Sequence, residues 1–146
     1  MSSAKTPDNW ASGAEDILSH FASTEGATVE RQQLTELLVG FEVSPRSGGG
    51  ARVSVTTSPY EVIVQAGRGA RFELDALPGS ADELREILDA IAGGRLSERR
   101  DRLALTFRLE IGSGRTLSGR VLARGIPRGA IQYQPYPRRT GRGEQA

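Results

Sequence analysis

The chain has 146 residues, a length typical of one domain, and a formal net charge of +1. It contains no cysteine, which excludes disulfides and thiolate metal sites, and it has no apolar run long enough to cross a membrane. The first residues, MSSAKTPDNWASG, lack the apolar core of a secretory signal. We therefore predict a soluble, cytoplasmic protein.

Charge is distributed unevenly along this nearly neutral chain. Residues 1–50 carry three basic and seven acidic side chains, whereas residues 101–146 carry nine basic and three acidic ones. This asymmetry indicates an acidic partner for the carboxyl-terminal part, a bipolar docking surface, or simply a solvated tail. All but one of the 19 basic residues are arginine, a bias typical of a GC-rich bacterial genome.

The amino-terminal part predicts a flexible segment and then a helix. Residues 1–11 show no regular apolar pattern, and we expect them to be flexible. Ser12 and Glu15 have the spacing of a capping box, and apolar residues follow at helical spacing. These signals predict a helix over residues 12–23.

The segment that follows is ambiguous in its first half and regular in its second. Residues 28–36 contain helix-forming residue types but only a thin apolar stripe, so they are compatible with a helix or a loop. From Leu37 to Val43 apolar side chains occupy every second position. That alternation predicts a strand, which Pro45 ends.

Three short alternating runs, RVSVT, YEVIVQ and RFELDAL, come next. The linkers between them are too short for anything except antiparallel neighbours, so we predict a three-stranded meander. The alternation places one set of side chains toward the core: Val53, Val55, Tyr60, Val62, Val64, Phe72 and Leu74.

The most regular predicted element is a helix over residues 80–92. Ser80 and Glu83 have the spacing of a second capping box, and Gly93 or Gly94 can adopt the left-handed conformation that ends a helix. One apolar stripe runs along it: Leu84, Ile87, Leu88 and Ile91. Because this stripe and the strands need cover, we expect the helix to lie across the meander.

The last third predicts a second hairpin after a polar connection, RLSERRD. Five apolar residues alternate from Leu103 to Ile111, a weaker strand follows in TLSGRVLA, and residues 131–136 form a short edge strand. Residues 137–146 are predicted to be a disordered basic tail. The fold class is α+β: one domain over residues 12–136, with an antiparallel sheet of five or six strands and two helices packed on it.

Residue types that carry catalysis are sparse. His20 is the single histidine, so we expect a structural or surface role for it. The acidic pairs Glu15-Asp16 and Asp82-Glu83 fall in the first turns of helices, where capping explains them, and no glycine run has the spacing of a phosphate loop. We predict no catalytic residue, no metal and no cofactor.

Exposed arginines and aromatic side chains are the best candidates for binding a partner. For a protein partner we expect the contact to involve Trp10, Arg108, Arg120, Arg124, Tyr133 and Tyr136. Arginines interleaved with tyrosines also bind nucleic acids, and for that alternative the candidates are Arg115, Arg138, Arg139 and Arg142. The predicted edge strand could also pair with a second copy of the chain to form a homodimer.

Two motifs occur in order: RFELD at residues 71–75, in the last strand of the predicted meander, and AIAGGRLSE at residues 90–98, at the end of the helix that follows. With them, residues 53–98 resemble small α+β immunity proteins of bacterial polymorphic toxin systems. The resemblance implies a non-enzymatic inhibitor that neutralises a toxin domain by surface complementarity. Immunity proteins against nucleases are commonly acidic, whereas this chain is near neutral. Either the toxin is therefore not a nuclease, or the acidic first half makes the contact. The alternative function is an arginine-rich nucleic-acid-binding or regulatory protein.

Overall fold

The computed structural model describes residues 7–46, 48–112 and 114–137, with the backbone alone for residues 7–11. Within these ranges the chain is α+β and has two helices and nine strands. In chain order they are α1 (Pro7–Glu25), β1 (Ala27–Gln33), β2 (Val39–Pro45), β3 (Val53–Thr57), β4 (Glu61–Ala66), β5 (Ala70–Asp75), α2 (Ser80–Ala92), β6 (Leu96–Arg100), β7 (Ala104–Glu110), β8 (Thr116–Leu122) and β9 (Gly129–Gln132).

The strands form two antiparallel sheets. The first sheet is a five-stranded meander in the order β1-β2-β3-β4-β5, and the second has four strands in the order β8-β7-β6-β9. The predicted antiparallel pairing is confirmed, but the expectation of one sheet with five or six strands is wrong. The difference comes from β1 and β6, two strands that the apolar pattern does not mark.

The two unmarked strands are polar for different reasons. β1 lies at the edge of the first sheet, and its side chains from Glu30 onward are exposed, so it has no apolar alternation to recognise. β6 lies inside the second sheet, between β7 and β9, and one of its inward positions carries Glu98, which is buried. The polar connection predicted around residues 95–101 is therefore wrong.

The two helices differ in how well their starts were predicted. α1 begins at Pro7, a residue favoured in the first turn because its missing N–H has no helical partner there. Ser12 is therefore inside the helix and does not cap it. α2 spans the predicted residues, but Ser80 is already helical, and the preceding cap residue, Gly79, makes no side-chain capping bond.

Buried side chains from both helices and both sheets form one core cluster. The four residues of the apolar stripe on α2 are fully buried, and on α1 Leu18 and Phe21 are buried. The sheets meet at Phe72 on β5 and Phe107 on β7, whose rings lie 5.3 Å apart, edge to face. The inner faces of both sheets thus line the same core, and their outer faces point away from it.

Most side chains predicted to face inward on β3, β4 and β5 do so, from Val53 to Leu74. Three apolar residues do not: Leu37, Tyr60 and Leu103 are more than half exposed. Each of the three lies just outside a strand, in the adjoining turn. The predicted strands were therefore too long, because the sequence keeps alternating apolar and polar residues beyond the point where the backbone turns. The edge strand β9 likewise begins and ends earlier than the predicted 131–136.

Candidate functional site

A buried carboxylate is the most chemically distinctive group in the described part of the chain. The Glu98 side chain on β6 is fully inaccessible to solvent. Its oxygens accept hydrogen bonds from the backbone N–H groups of Arg68, Gly69 and Ala70, in and after the β4–β5 turn, at 3.0–3.1 Å. They also accept from the Arg68 Nε at 3.2 Å and the Tyr133 hydroxyl at 2.6 Å. This cluster ties the first sheet to the second.

The same cluster extends to the chain that leads into β9. The terminal nitrogens of Arg68 donate to the carbonyl oxygens of Pro127 and Gly129 at 2.9 and 3.1 Å. Burial, together with the hydrogen bond to Glu98 and its charge, raises the pKa of the Tyr133 hydroxyl far above its usual value. Because the Glu98 carboxylate already has five donors, the arrangement serves as a structural junction between elements.

The two tyrosines predicted as exposed anchors belong to the interior. Tyr133 is half-buried and donates its hydroxyl to Glu98. Tyr136 is buried, donates its hydroxyl to the Ala51 carbonyl oxygen, and lies with its ring 5.8 Å from that of Phe21. Burial also raises the pKa of Tyr136. Burial of the Tyr136 ring corrects the expectation of an exposed anchor there, whereas the Tyr133 ring stays partly exposed.

Four of the predicted binding residues lie wholly or partly outside the described atoms. Trp10 lies in the first turns of α1, but its side chain is outside the described atoms. Arg138, Arg139 and Arg142 lie outside the described residues.

Three exposed arginines lie on the outer face of the second sheet. Arg99 on β6 is opposite Thr106 on β7, which is opposite Arg120 on β8. The next outward position on β7 is Arg108, so the three guanidinium groups share one surface. We define the arginine face as Arg99, Arg108 and Arg120 together with Leu122, which follows on β8 and is 80 % exposed.

Acidic side chains neutralise this face only in part. Arg108 approaches Glu110 at 3.9 Å, and both side chains are exposed. In the described part of the chain, Arg99 and Arg120 make no ion pair within 4.0 Å. Asp101 lies at the margin of the face. Its pKa is lowered mainly by hydrogen bonds from the backbone N–H groups of Ala104 and Leu103. The positive charges of Arg120 and Arg100 lower it further.

The remaining predicted arginines lie at opposite ends of β8. Arg124 is exposed just beyond its last residue, near Leu103, which is 74 % exposed and whose carbonyl accepts from Ala123 N. Arg115 precedes the strand and lies 3.8 Å from Glu86 on α2. The structure therefore brings Arg108 and Arg120 to one surface, leaves Arg124 exposed in the loop after β8 and leaves Arg115 beside the helix. Arg99 was not among the predicted binding residues, because residues 95–101 were predicted to be a polar connection. A strand predicted there would have placed the Arg99 side chain outward.

The surface of the described chain carries several open depressions. One of about 620 Å³ runs between α1 and α2 and is lined in part by Asp16, His20 and Asp89. In the described ranges no group of three or more histidine, aspartate or glutamate side chains has a metal-binding arrangement. No described helix is both long and apolar enough to cross a membrane.

Comparison with known proteins gives this chain no relative: no protein-family model matches it, and the search of curated proteins finds no significant match.

Proposed function

We propose that the protein is a non-enzymatic binding module that inhibits a protein partner, such as a toxin domain, by docking its arginine face on an acidic surface of that partner. The observation that carries the proposal is the incompletely neutralised set of Arg99, Arg108 and Arg120 on one sheet face, together with the exposed Leu122. No catalytic step is required of any residue.

The arginine face has the composition of a protein interface. Arginine is enriched at such interfaces because its planar guanidinium forms bidentate hydrogen bonds with carboxylates. The arginines project from paired strands, so their backbone is already ordered and less entropy is lost on binding. Leu122, which belongs to this face and is 80 % exposed, adds apolar area that a partner could cover.

The positions of the tyrosines favour a protein partner over a nucleic acid. Single-stranded nucleic acids are held by aromatic side chains on which bases stack as well as by cations. The Tyr136 ring is buried, and the half-buried Tyr133 has its hydroxyl engaged by Glu98, so neither is a fully exposed stacking platform. The arginine face alone supports contacts with carboxylates, and also with phosphates, so a nucleic acid remains the competing outcome in the experiment below.

The test is calorimetric binding to the protein encoded next to this one, which is where the partner of an inhibitor is expected. The double variant Arg108→Glu/Arg120→Glu should weaken the complex by about a hundredfold or more, because two attractive contacts become repulsive. Arg85→Glu, on α2, is the matched control and should bind like the unaltered protein. Equal affinity of the double variant would exclude the arginine face.

A parallel titration with duplex DNA and single-stranded RNA separates the competing function. Binding that depends on Arg108 and Arg120 and falls steeply as salt is raised would identify a nucleic-acid-binding protein instead. Absence of such binding, with a complex of the neighbouring protein that blocks its toxicity in cells, would support inhibition.

A further inference from the structure

The outer face of the first sheet has the opposite charge from the arginine face. Strand register places Glu30 on β1 directly opposite Glu42 on β2, and Glu61 on β4 directly opposite Asp75 on β5. All four side chains are exposed, and among the described residues none of them makes an ion pair or a side-chain hydrogen bond. We call these four carboxylates and the surface between them the acidic sheet face.

Carboxylates directly opposite one another are unfavourable for the sheet itself. Like charges on facing positions repel at a Cβ separation of about 5 Å, whereas opposite charges there stabilise the pairing. Arg71 is paired with Glu73 on this face at 2.8 Å, whereas Arg52 donates to the neutral Ser44 hydroxyl at 3.4 Å and keeps its charge, so the face is acidic in balance and carries one unpaired arginine. The two facing pairs are therefore a local cost to stability that folding does not explain.

A shallow groove lies beside the Glu30–Glu42 pair. The cross-strand row there contains Gly40, Thr56 and Ile63, which are small or apolar and half-buried. Leu34 borders the groove, since a β-carbon placed on Gly40 would lie 3.2 Å from its Cδ1 atom, and the Leu34 side chain remains 46 % exposed. The depression around Gly40 measures about 510 Å³ and is also lined by Glu30, Glu42 and Arg31, the last of which is paired with Glu15 at 2.7 Å.

We propose that the acidic sheet face is a second docking surface, for a basic protein surface that inserts one apolar side chain into the groove over Gly40. An apolar centre with a charged rim is the arrangement of a protein interface, and the unpaired carboxylates specify the sign of the partner. The interaction is separate from the arginine face, and with it the protein would bridge two partners of opposite charge.

A second copy of the chain fits this surface less well than a different protein. Its own arginine face has the complementary charge, but joining the acidic sheet face of one copy to the arginine face of the next is a head-to-tail contact. Repeated head-to-tail contacts give open filaments unless the rotation happens to close a ring. A distinct basic protein is therefore the occupant to test.

The test uses a synthetic peptide of alternating arginine and leucine, with a glutamate-leucine peptide as its charge control, followed by nuclear magnetic resonance. The arginine peptide should shift amide resonances of the strands around Gly40, and the acidic peptide should not. Gly40→Val fills the groove and keeps every charge, and Glu30→Gln removes one facing carboxylate. Each should weaken binding by about tenfold. Glu110→Gln, the same charge change on the second sheet, should leave it unaltered.

Stability measurements show whether these variants fold and add a second signature. Valine suits a strand and Leu34 can move toward solvent, so Gly40→Val should unfold at the same temperature or higher. Glu30→Gln should also raise the unfolding temperature, because it relieves the repulsion from Glu42. Equal peptide affinity for Gly40→Val, resonance shifts elsewhere, or self-association that Gly40→Val abolishes would each overturn the proposal.

Discussion

Glu98 shows how one residue can hold two sheets together. It lies at an inward position of β6, where the alternation of a strand would normally place an apolar side chain. A buried charge is tolerated only when hydrogen bonds replace the water it has lost, and here backbone and side-chain donors from the β4–β5 turn and Tyr133 do so. The junction thus depends on charge where the rest of the core depends on apolar contact.

Replacement of Glu98 by glutamine is expected to lower the free energy of unfolding by about 3 kcal/mol. The amide removes the negative charge and points its own N–H donors at groups that are themselves donors. Urea denaturation of Glu98→Gln measures the loss. Glu73→Gln is the matched control, because Glu73 is exposed and its ion pair with Arg71 is worth about 1 kcal/mol or less. Similar losses in both variants would contradict the junction.

The raised pKa of the Tyr133 hydroxyl predicts a loss of stability in alkali. The folded state holds this proton more tightly than the unfolded chain, in which the tyrosine hydroxyl has a pKa of about 10. Its contribution is therefore complete below that pH and declines as the pH rises beyond it. Denaturation at a series of pH values should show this decline, and Tyr133→Phe should make it shallower.

The exposed Tyr60 provides the control for that series. Tyr60→Phe removes a hydroxyl from a side chain that is 81 % exposed, so the alkaline decline should persist in this variant. Tyr133→Phe should also be less stable at neutral pH, since Glu98 loses one of its donors. An alkaline decline as steep in Tyr133→Phe as in the unaltered protein would show that another group causes it.

At the scale of elements, close approach of side chains decides where small residues are needed. β8 carries Gly119 in its interior, a position at which glycine usually weakens a strand. Register puts Gly119 directly opposite Phe107 on β7, and a β-carbon there would overlap the Phe107 ring. That ring is buried and packs edge to face on Phe72, so glycine on β8 makes room for the contact between the sheets.

Gly119→Ala should therefore destabilise the protein by about 1–3 kcal/mol, the usual cost of overpacking. Strand propensity alone predicts the opposite sign, because alanine loses less backbone entropy than glycine on folding. Thermal unfolding distinguishes the two. Ser118→Ala is the control, because it places an alanine at the neighbouring, exposed position of β8. Its unfolding temperature should change little. A more stable Gly119→Ala would mean that Phe107 moves freely.

At the scale of the whole molecule, both sheets and both helices share one buried cluster. A shared core predicts that the described elements unfold together, since no sheet can lose its inner face without exposing the other. Phe72→Leu on the first sheet and Phe107→Leu on the second should each cost about 1–2 kcal/mol and shift every spectroscopic probe equally. Circular dichroism and calorimetry check this, and two separate transitions would show two independent units.

The charge distribution is also a property of the whole molecule. The chain is nearly neutral, yet its arginine face and acidic sheet face carry unpaired charges of opposite sign on different sheets. The asymmetry between the first and last thirds of the sequence was compatible with an acidic partner, a bipolar surface or a solvated tail. Folding concentrates charges on the outer faces of the sheets, because the alternation of each strand sends charged residues to one face and apolar residues to the other.

The fold was predictable wherever local periodicity records burial. The alternation in β3, β4, β5 and β7 and the stripe on α2 were correct from the letters alone, because one face of each element lies in the core. β1 and β6 were not predictable in this way. The first is an exposed edge, and the second has a charged residue at an inward position.

For the candidate surfaces, the sequence by itself determined that Arg108 and Arg120 face outward, since period two assigns each side chain on a strand to a face. Only the tertiary structure decided that Arg99 joins them and that Tyr133 and Tyr136 turn inward. It alone also decided that carboxylates face one another across the first sheet. The physical reason is that these outcomes depend on strand register and on contacts between residues that are distant along the chain. Glu98 and Arg68, for example, are 30 residues apart in sequence but form a hydrogen bond in the folded protein.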